Sequence, residues 1–184
     1  MWAACAGPLL WLIWGAANDA LGANPAEYIT RSTGEQALRM LCLTLSVTPL
    51  RVQAHWPELA RFRRLLGLWT YAYALMHAAC YAWLDMGLDG AEIAHDVIKR
   101  PFIWVGVTSF VLVTPLAATS WSKAVRWLGA ARWQRLHRAV YVVAPLVVLH
   151  YLWMRTGKNH FDAVWFYGLW LFAVLMWRVR AARR

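Results

Sequence analysis

The 184-residue chain is 61% hydrophobic and 15% charged, too little polar surface for a water-soluble domain of this size. Its net charge of +10 sits in short clusters between long apolar runs, so no continuous basic face is left for nucleic acid. Cys5, Cys42 and Cys80 all lie in apolar stretches and form no CxxC pair, which excludes a disulfide framework. The length permits one compact domain, residues 1–184, and the composition makes it an all-α integral membrane protein.

Residues 1–18 carry no formal charge and read as a first span. They lack the basic n-region and cleavage site of a signal peptide. Residues 40–50 are apolar, and the pattern predicts a second helix beginning near Gly34–Glu35. Residues 65–84 hold only His77 among ionisable candidates for chemistry, and 101–122 are uncharged. Residues 139–154 and 163–177 are also free of formal charge. A helix needs about 20 residues to cross the hydrocarbon, with a range of about 17–25. The shorter runs reach that length if a flanking Arg or Lys snorkels to the headgroups. The prediction is therefore a six-helix transmembrane bundle. Between the third and fourth spans, Asp89–Lys99 reads as an amphipathic turn or two on the membrane surface, and Pro101 sits where a helix can start.

Two features separate this from a soluble bundle of greasy helices. The apolar runs lack a polar stripe. Tryptophans such as Trp83, Trp104, Trp121, Trp153 and Trp165 crowd the segment ends, as in an interfacial aromatic belt.

Basic residues are divided unequally. Arg51, Arg61, Arg63, Arg64, the 123–138 cluster and the C-terminal arginines give thirteen on one side, against six on the other. The richer side is predicted to be cytoplasmic, with both termini on it. Its arginine clusters suit anionic lipid headgroups, and equally haem propionates or a flavin phosphate. The loops are too short for a nucleotide-binding domain, and no GxGxxG or GxxxxGK[ST] occurs.

Chemistry must then come from polar residues inside the spans. His77, His137 and His150 are the candidates, because a polar side chain at depth is costly unless partnered or bound. Imidazole is an axial ligand of haem iron. His77 lies 13 residues beyond Arg64, and His150 13 beyond His137, so each sits roughly 20 Å above the basic side at 1.5 Å per residue. Their helices run the same way, which places His77 and His150 at one height, fit to grip one macrocycle. Two bland readings stand beside this: His77 as a core residue bonded to Tyr73 or a backbone carbonyl, and His137 as an interfacial residue between Arg135 and Arg138. His55, His95 and His160 read as solvated loop residues, with His160 the one placed to touch a partner. Two other functions fit a membrane bundle. One is a transporter or channel, which the absence of Asp and Glu from the deep spans disfavours. The other is a cytochrome b reducing a metal ion or quinone at the outer face.

The order and spacing of several fragments resemble a known family across nearly the whole chain. These are LGANP, TGEQAL, VTPLR, RRLLGLW, HAACY, KRPFIWVG and TSW, then WQRLHRAVY followed by HYLW. The chain is similar to the MsrQ/YedZ family, haem-binding membrane subunits of periplasmic methionine sulfoxide reductase systems, within the wider ferric reductase-like transmembrane family. The resemblance implies an electron-transfer subunit of the bacterial inner membrane, without catalytic residues of its own. It implies haem b, with room for a second haem, and an associated FMN. It implies electrons taken from quinone or a cytoplasmic flavin reductase and passed to a periplasmic molybdopterin methionine sulfoxide reductase. By resemblance, His77 and His150 are the axial ligands of one haem and His137 is a further haem-related histidine. The chain departs from ferric reductases that have two histidines on helix three. Arg64 stands near the level of the missing one, so a second haem would be singly ligated, differently ligated or absent.

Overall fold

A computed structural model describes residues 1–156 and 161–183, and every described element is helical. The long helices are α1 (Trp2–Ala17), α2 (Pro25–Gln53) and α3 (Ala60–Cys80), which continues as a wider π-type turn over Tyr81–Asp85. Then come α4 (Gly90–Lys99), α5 (Pro101–Ala118), the short α6 (Ser122–Leu128) and α7 (Ala130–His137), α8 (Val140–Arg155) and α9 (Asp162–Ala182). Three helical stretches are long and apolar enough to cross a bilayer: Pro101–Ala118, Ala130–Arg155 and Asp162–Ala182. Trp2–Ala17 shares their character but is shorter. Large apolar side chains face outward along these helices, among them Leu10, Trp11, Val111, Trp165, Leu169 and Phe172. Water would penalise such a surface and lipid does not, so the chain is an all-α integral membrane protein that passes the membrane more than once.

The sequence pattern placed the start of α2 near Gly34, but the helix starts at Pro25. Asn24 caps it, its side chain accepting the Glu27 N–H at 3.1 Å, and Pro25 opens the helix where its missing N–H costs nothing. The charges on either side of that expected start are spaced as helical pairs: Arg31–Glu27 and Arg39–Glu35, both 2.6 Å. Residues 122–128 and 130–137 form α6 and α7, so His137, expected on one helix with His150, ends α7 and is separated from α8 by a turn at residues 138–139. His95, read as a loop residue, is exposed on α4, and His55 is exposed in the turn after α2. The expected amphipathic surface segment is α4 itself. Asp96, on its inner face, accepts from Tyr81 Oη and pairs with Arg100, both at 2.8 Å, which clips α4 to the end of α3. His160 lies outside the described residues.

The core forms where Leu38, Leu41, Cys42 and Leu45 of α2 meet Val143 and Ala144 of α8 and Tyr167 and Leu171 of α9. Helix α9 is fastened to α2 by polar contacts along its length. Arg39 Nε donates to Tyr167 Oη at 2.8 Å, and Trp170 Nε1 donates to Ser46 Oγ at 2.8 Å. Pro49 has no N–H for the Leu45 carbonyl four residues back. Arg178 supplies the donor instead, at 2.8 Å. Hydroxyls within the spans close on their own helices: Thr44 on Met40, Thr70 on Leu66 and Ser109 on Val105.

Candidate functional site

Two helix pairs, α2 with α3 and α5 with α8, each deliver one histidine to a shared cavity of about 360 Å³. His77 of α3 and His150 of α8 face one another across it, ring centres 6.2 Å apart and planes inclined at 75°. His77 Nδ1 is hydrogen-bonded to the Thr30 carbonyl and His150 Nδ1 to the Phe102 carbonyl, each at 2.7 Å. A carbonyl only accepts, so both rings carry their proton on Nδ1 and leave the Nε2 lone pair free. Tyr73 is not the partner of His77. Its hydroxyl donates to the Cys5 carbonyl at 2.7 Å.

This arrangement fits a haem iron. With a metal–imidazole bond of about 2.0–2.1 Å and roughly 1.1 Å from ring nitrogen to ring centre, two rings on one metal have centres about 6.3 Å apart. No group of three or more His, Cys, Asp or Glu that would hold a bare metal ion occurs among the described residues. Two imidazoles leave the equatorial positions to a macrocycle, and the cavity walls between them are apolar: Leu41, Ala74, Val107, Val113 and Val147. The Thr30 hydroxyl, on the same wall, is buried with no hydrogen-bond partner among the described residues. Arg31, Arg100 and Arg155 also line the cavity, together with the carboxylates Glu35 and Asp85. Arg31 and Arg100 already pair with Glu27 and Asp96, whereas Arg155 donates to Tyr151 Oη at 3.0 Å. A lining that is mostly apolar, with arginines among its residues, suits a porphyrin whose propionates those arginines would meet.

His137 and Arg64 come together elsewhere. They line a second cavity of about 350 Å³ at the basic end, with Arg63, Thr70, Trp121 and Trp133. The His137 ring stacks on Trp133 at 3.9 Å between centres, and its Nε2 lies 3.1 Å from Thr119 Oγ1. Trp133 Nε1 donates to the Thr119 carbonyl at 2.8 Å, which docks α7 on the end of α5. The nitrogen that is free in His77 and His150 is therefore engaged in His137.

Sequence reasoning passed over the carbonyls of Thr30 and Phe102 and the glycines one turn beyond them, Gly34 and Gly106. The signal was there: His77 and His150 follow their carbonyl partners by 47 and 48 residues. It is an internal repeat too faint in side-chain identity to notice. Arg31, Arg100 and Arg155 were counted as topology charges only.

A helical membrane bundle with two imidazoles facing one another across an apolar cavity is the class that fold and site define. The family described as ferric reductase like transmembrane component matches residues 33–148. The chain is 53% identical to the protein-methionine-sulfoxide reductase heme-binding subunit MsrQ of Polaromonas naphthalenivorans, over 95% of this chain and 80% of that protein. It is 47% identical to the subunit of the same name from Ralstonia nicotianae and 40% to that of Caulobacter vibrioides, each over 100% of this chain and 87% of the relative. No solved structure matches. The chain belongs to the ferric reductase-like transmembrane family and, within it, to the MsrQ family.

Proposed function

We propose that this protein is a b-type haem electron carrier of the bacterial inner membrane, a non-catalytic subunit that serves a periplasmic methionine sulfoxide reductase. Residues 1–184 form one transmembrane haem-binding domain in which α1, α2, α3, α5, α8 and α9 cross the membrane. The thirteen-to-six division of basic residues supports cytoplasmic termini. Quinone or a cytoplasmic flavin reductase supplies electrons at the basic end. The periplasmic molybdopterin catalytic subunit accepts them at the end that carries Arg31, Arg100 and Arg155.

The observation that carries this reading is the pair of imidazoles 6.2 Å apart, each with Nδ1 already committed. His77 and His150 would hold the iron through Nε2, the Thr30 and Phe102 carbonyls fix the tautomer and orientation of the two rings, and Arg155, with Arg31 and Arg100 beside it, would meet the propionates. The haem supplies one-electron chemistry; the protein sets its position and potential. The α2, α5 and α8 side chains that line the cavity exclude water from it. At the basic end, His137, Arg63 and Arg64 frame a cavity that would hold a second redox group, a haem or FMN. In this role Arg64 would bind the group's acidic substituents, and His137 would serve as its hydrogen-bond partner or metal ligand.

The test is haem content and low-spin absorbance per folded protein. His77→Ala and His150→Ala are each expected to lose the same low-spin signal. Full haem with unchanged axial ligation in either variant would overturn the pair.

A further inference from the structure

We propose that Gly34 and Gly106 are positioning residues for axial ligation: each omits the one side chain that would separate a ligand imidazole from the backbone carbonyl that orients it. The proposal rests on the haem reading above and adds residues outside the ligand set.

The device is built twice. On α2, the Thr30 carbonyl holds His77 Nδ1 at 2.7 Å; a Cβ on Gly34, one turn later, would lie 2.9 Å from that same nitrogen and 3.0 Å from Cε1. On α5, the Phe102 carbonyl holds His150 Nδ1 at 2.7 Å; a Cβ on Gly106 would lie 2.8 Å from Cε1 and 3.0 Å from Nδ1. The physical reason is common to both. A helical carbonyl points toward the residue four positions on, and every Cβ tilts back toward the helix N-terminus. The Cβ of residue i+4 therefore overhangs the carbonyl of residue i. With that Cβ missing, a whole ring from a neighbouring helix can lie against the turn and share the carbonyl with the helix's own N–H, whereas a terminal hydroxyl such as that of Tyr73 reaches the Cys5 carbonyl past Leu9.

Close helix packing alone would explain a glycine differently. Gly168 shows that case: its Cβ would meet Val148 Cγ1 at 3.7 Å, an ordinary contact. At Gly34 and Gly106 the neighbour is the imidazole in each case and the contact is shorter than any ordinary one. A helix-interior glycine costs about 1 kcal/mol relative to alanine. Apart from the ring, alanine should therefore improve both helices. To reach ordinary contact the ring must retreat by about half an ångström, whereas ligand distances in metal sites hold within about 0.2 Å.

The experiment compares Gly34→Ala, Gly106→Ala and the control Gly168→Ala in the full chain, with His77→Ala and His150→Ala as references. Haem per protein, low-spin electron paramagnetic resonance and thermal stability are measured. Gly34→Ala and Gly106→Ala are expected to lose most of the low-spin signal, while Gly168→Ala keeps it. If either glycine variant fails to fold, the double variant Gly34→Ala/His77→Ala, or Gly106→Ala/His150→Ala, decides. Recovery of the fold on removing the ring supports the proposal; continued failure assigns the glycine to helix packing and overturns it. Wild-type resonance values in the glycine variants, alongside haem loss in the histidine references, would overturn the positioning role alone. Low-spin haem retained in the references would overturn the haem reading itself.

Discussion

The two cavities of this protein place histidines in opposite chemical states. At His77 and His150, the backbone takes the Nδ1 proton and leaves Nε2 free on both rings. At His137, a threonine hydroxyl engages Nε2, a tryptophan covers one ring face, and Arg63 and Arg64 stand nearby instead of a second imidazole. The first arrangement is pre-organised for a metal, since each ring is oriented before any ligand arrives. The second suits a group recognised by charge, stacking and hydrogen bonds. One residue type thus serves two purposes according to which nitrogen its neighbours occupy.

The largest effect that separates the cavities is expected from His137→Ala. It should leave the low-spin haem spectrum intact and slow haem reduction from the basic side by roughly tenfold, about 1.4 kcal/mol in the barrier. Stopped-flow reduction by a quinol, read at the haem band, checks this. Loss of the low-spin signal in His137→Ala would break the comparison, because it would make His137 a ligand of the same iron. An unchanged reduction rate would return it to an interfacial role.

A smaller effect concerns α9, which closes the core behind the first cavity. Arg178 donates to the Leu45 carbonyl that Pro49 leaves open, and its guanidinium also meets Tyr141 Oη at 2.9 Å. Arg178→Ala strands that carbonyl. Interhelical hydrogen bonds in membranes average about 0.6 kcal/mol and reach about 1.7, and an unpaired buried group costs about 1–3. A loss of about 1–2 kcal/mol is expected, measured by unfolding in mixed micelles, with axial ligation unchanged. A changed haem spectrum would mean that the two ends of the bundle are coupled more tightly than their separate hydrogen bonds require.

Much of this was legible in the sequence, because hydropathy and charge are one-dimensional signals. The apolar runs at 101–122, 139–154 and 163–177 contain α5, all of α8 but its last residue, and most of α9. Helical rise put His77 and His150 at one height, and the short turn at residues 138–139 that separates α7 from α8 did not spoil the count. What was hidden needed a second chain segment. The carbonyls of Thr30 and Phe102 have no side-chain signature, and the role of Gly34 depends on a ring that is 43 residues away in sequence. The outer turns of α2 were hidden for another reason. Their alternating Glu and Arg look like a loop until the four-residue spacing is paired on one helix face.

Those outer turns set up the smallest test, and it sharpens the difference between the two halves of the first cavity. The cradle for His150 starts at Pro101, with no side-chain cap, directly on α5. The cradle for His77 lies on the extension of α2, six to ten residues after the Asn24 cap. Asn24 Oδ1 accepts the Glu27 N–H, and Asn24 Nδ2 reaches Glu27 Oε2 at 3.3 Å. Losing such a cap costs about 1 kcal/mol, and the frayed residues are those nearest the helix start. Asn24→Ala should therefore speed amide exchange over residues 27–31 while leaving residues 103–106 unchanged. Haem should stay bound, because Gly34 lies three residues beyond the frayed stretch and the Thr30 carbonyl is also held by the ring it orients. A fall in low-spin content as large as that expected for Gly34→Ala would show that the first cradle depends on its cap. Equal exchange rates in both halves would show that the salt bridges of α2 carry the extension without Asn24.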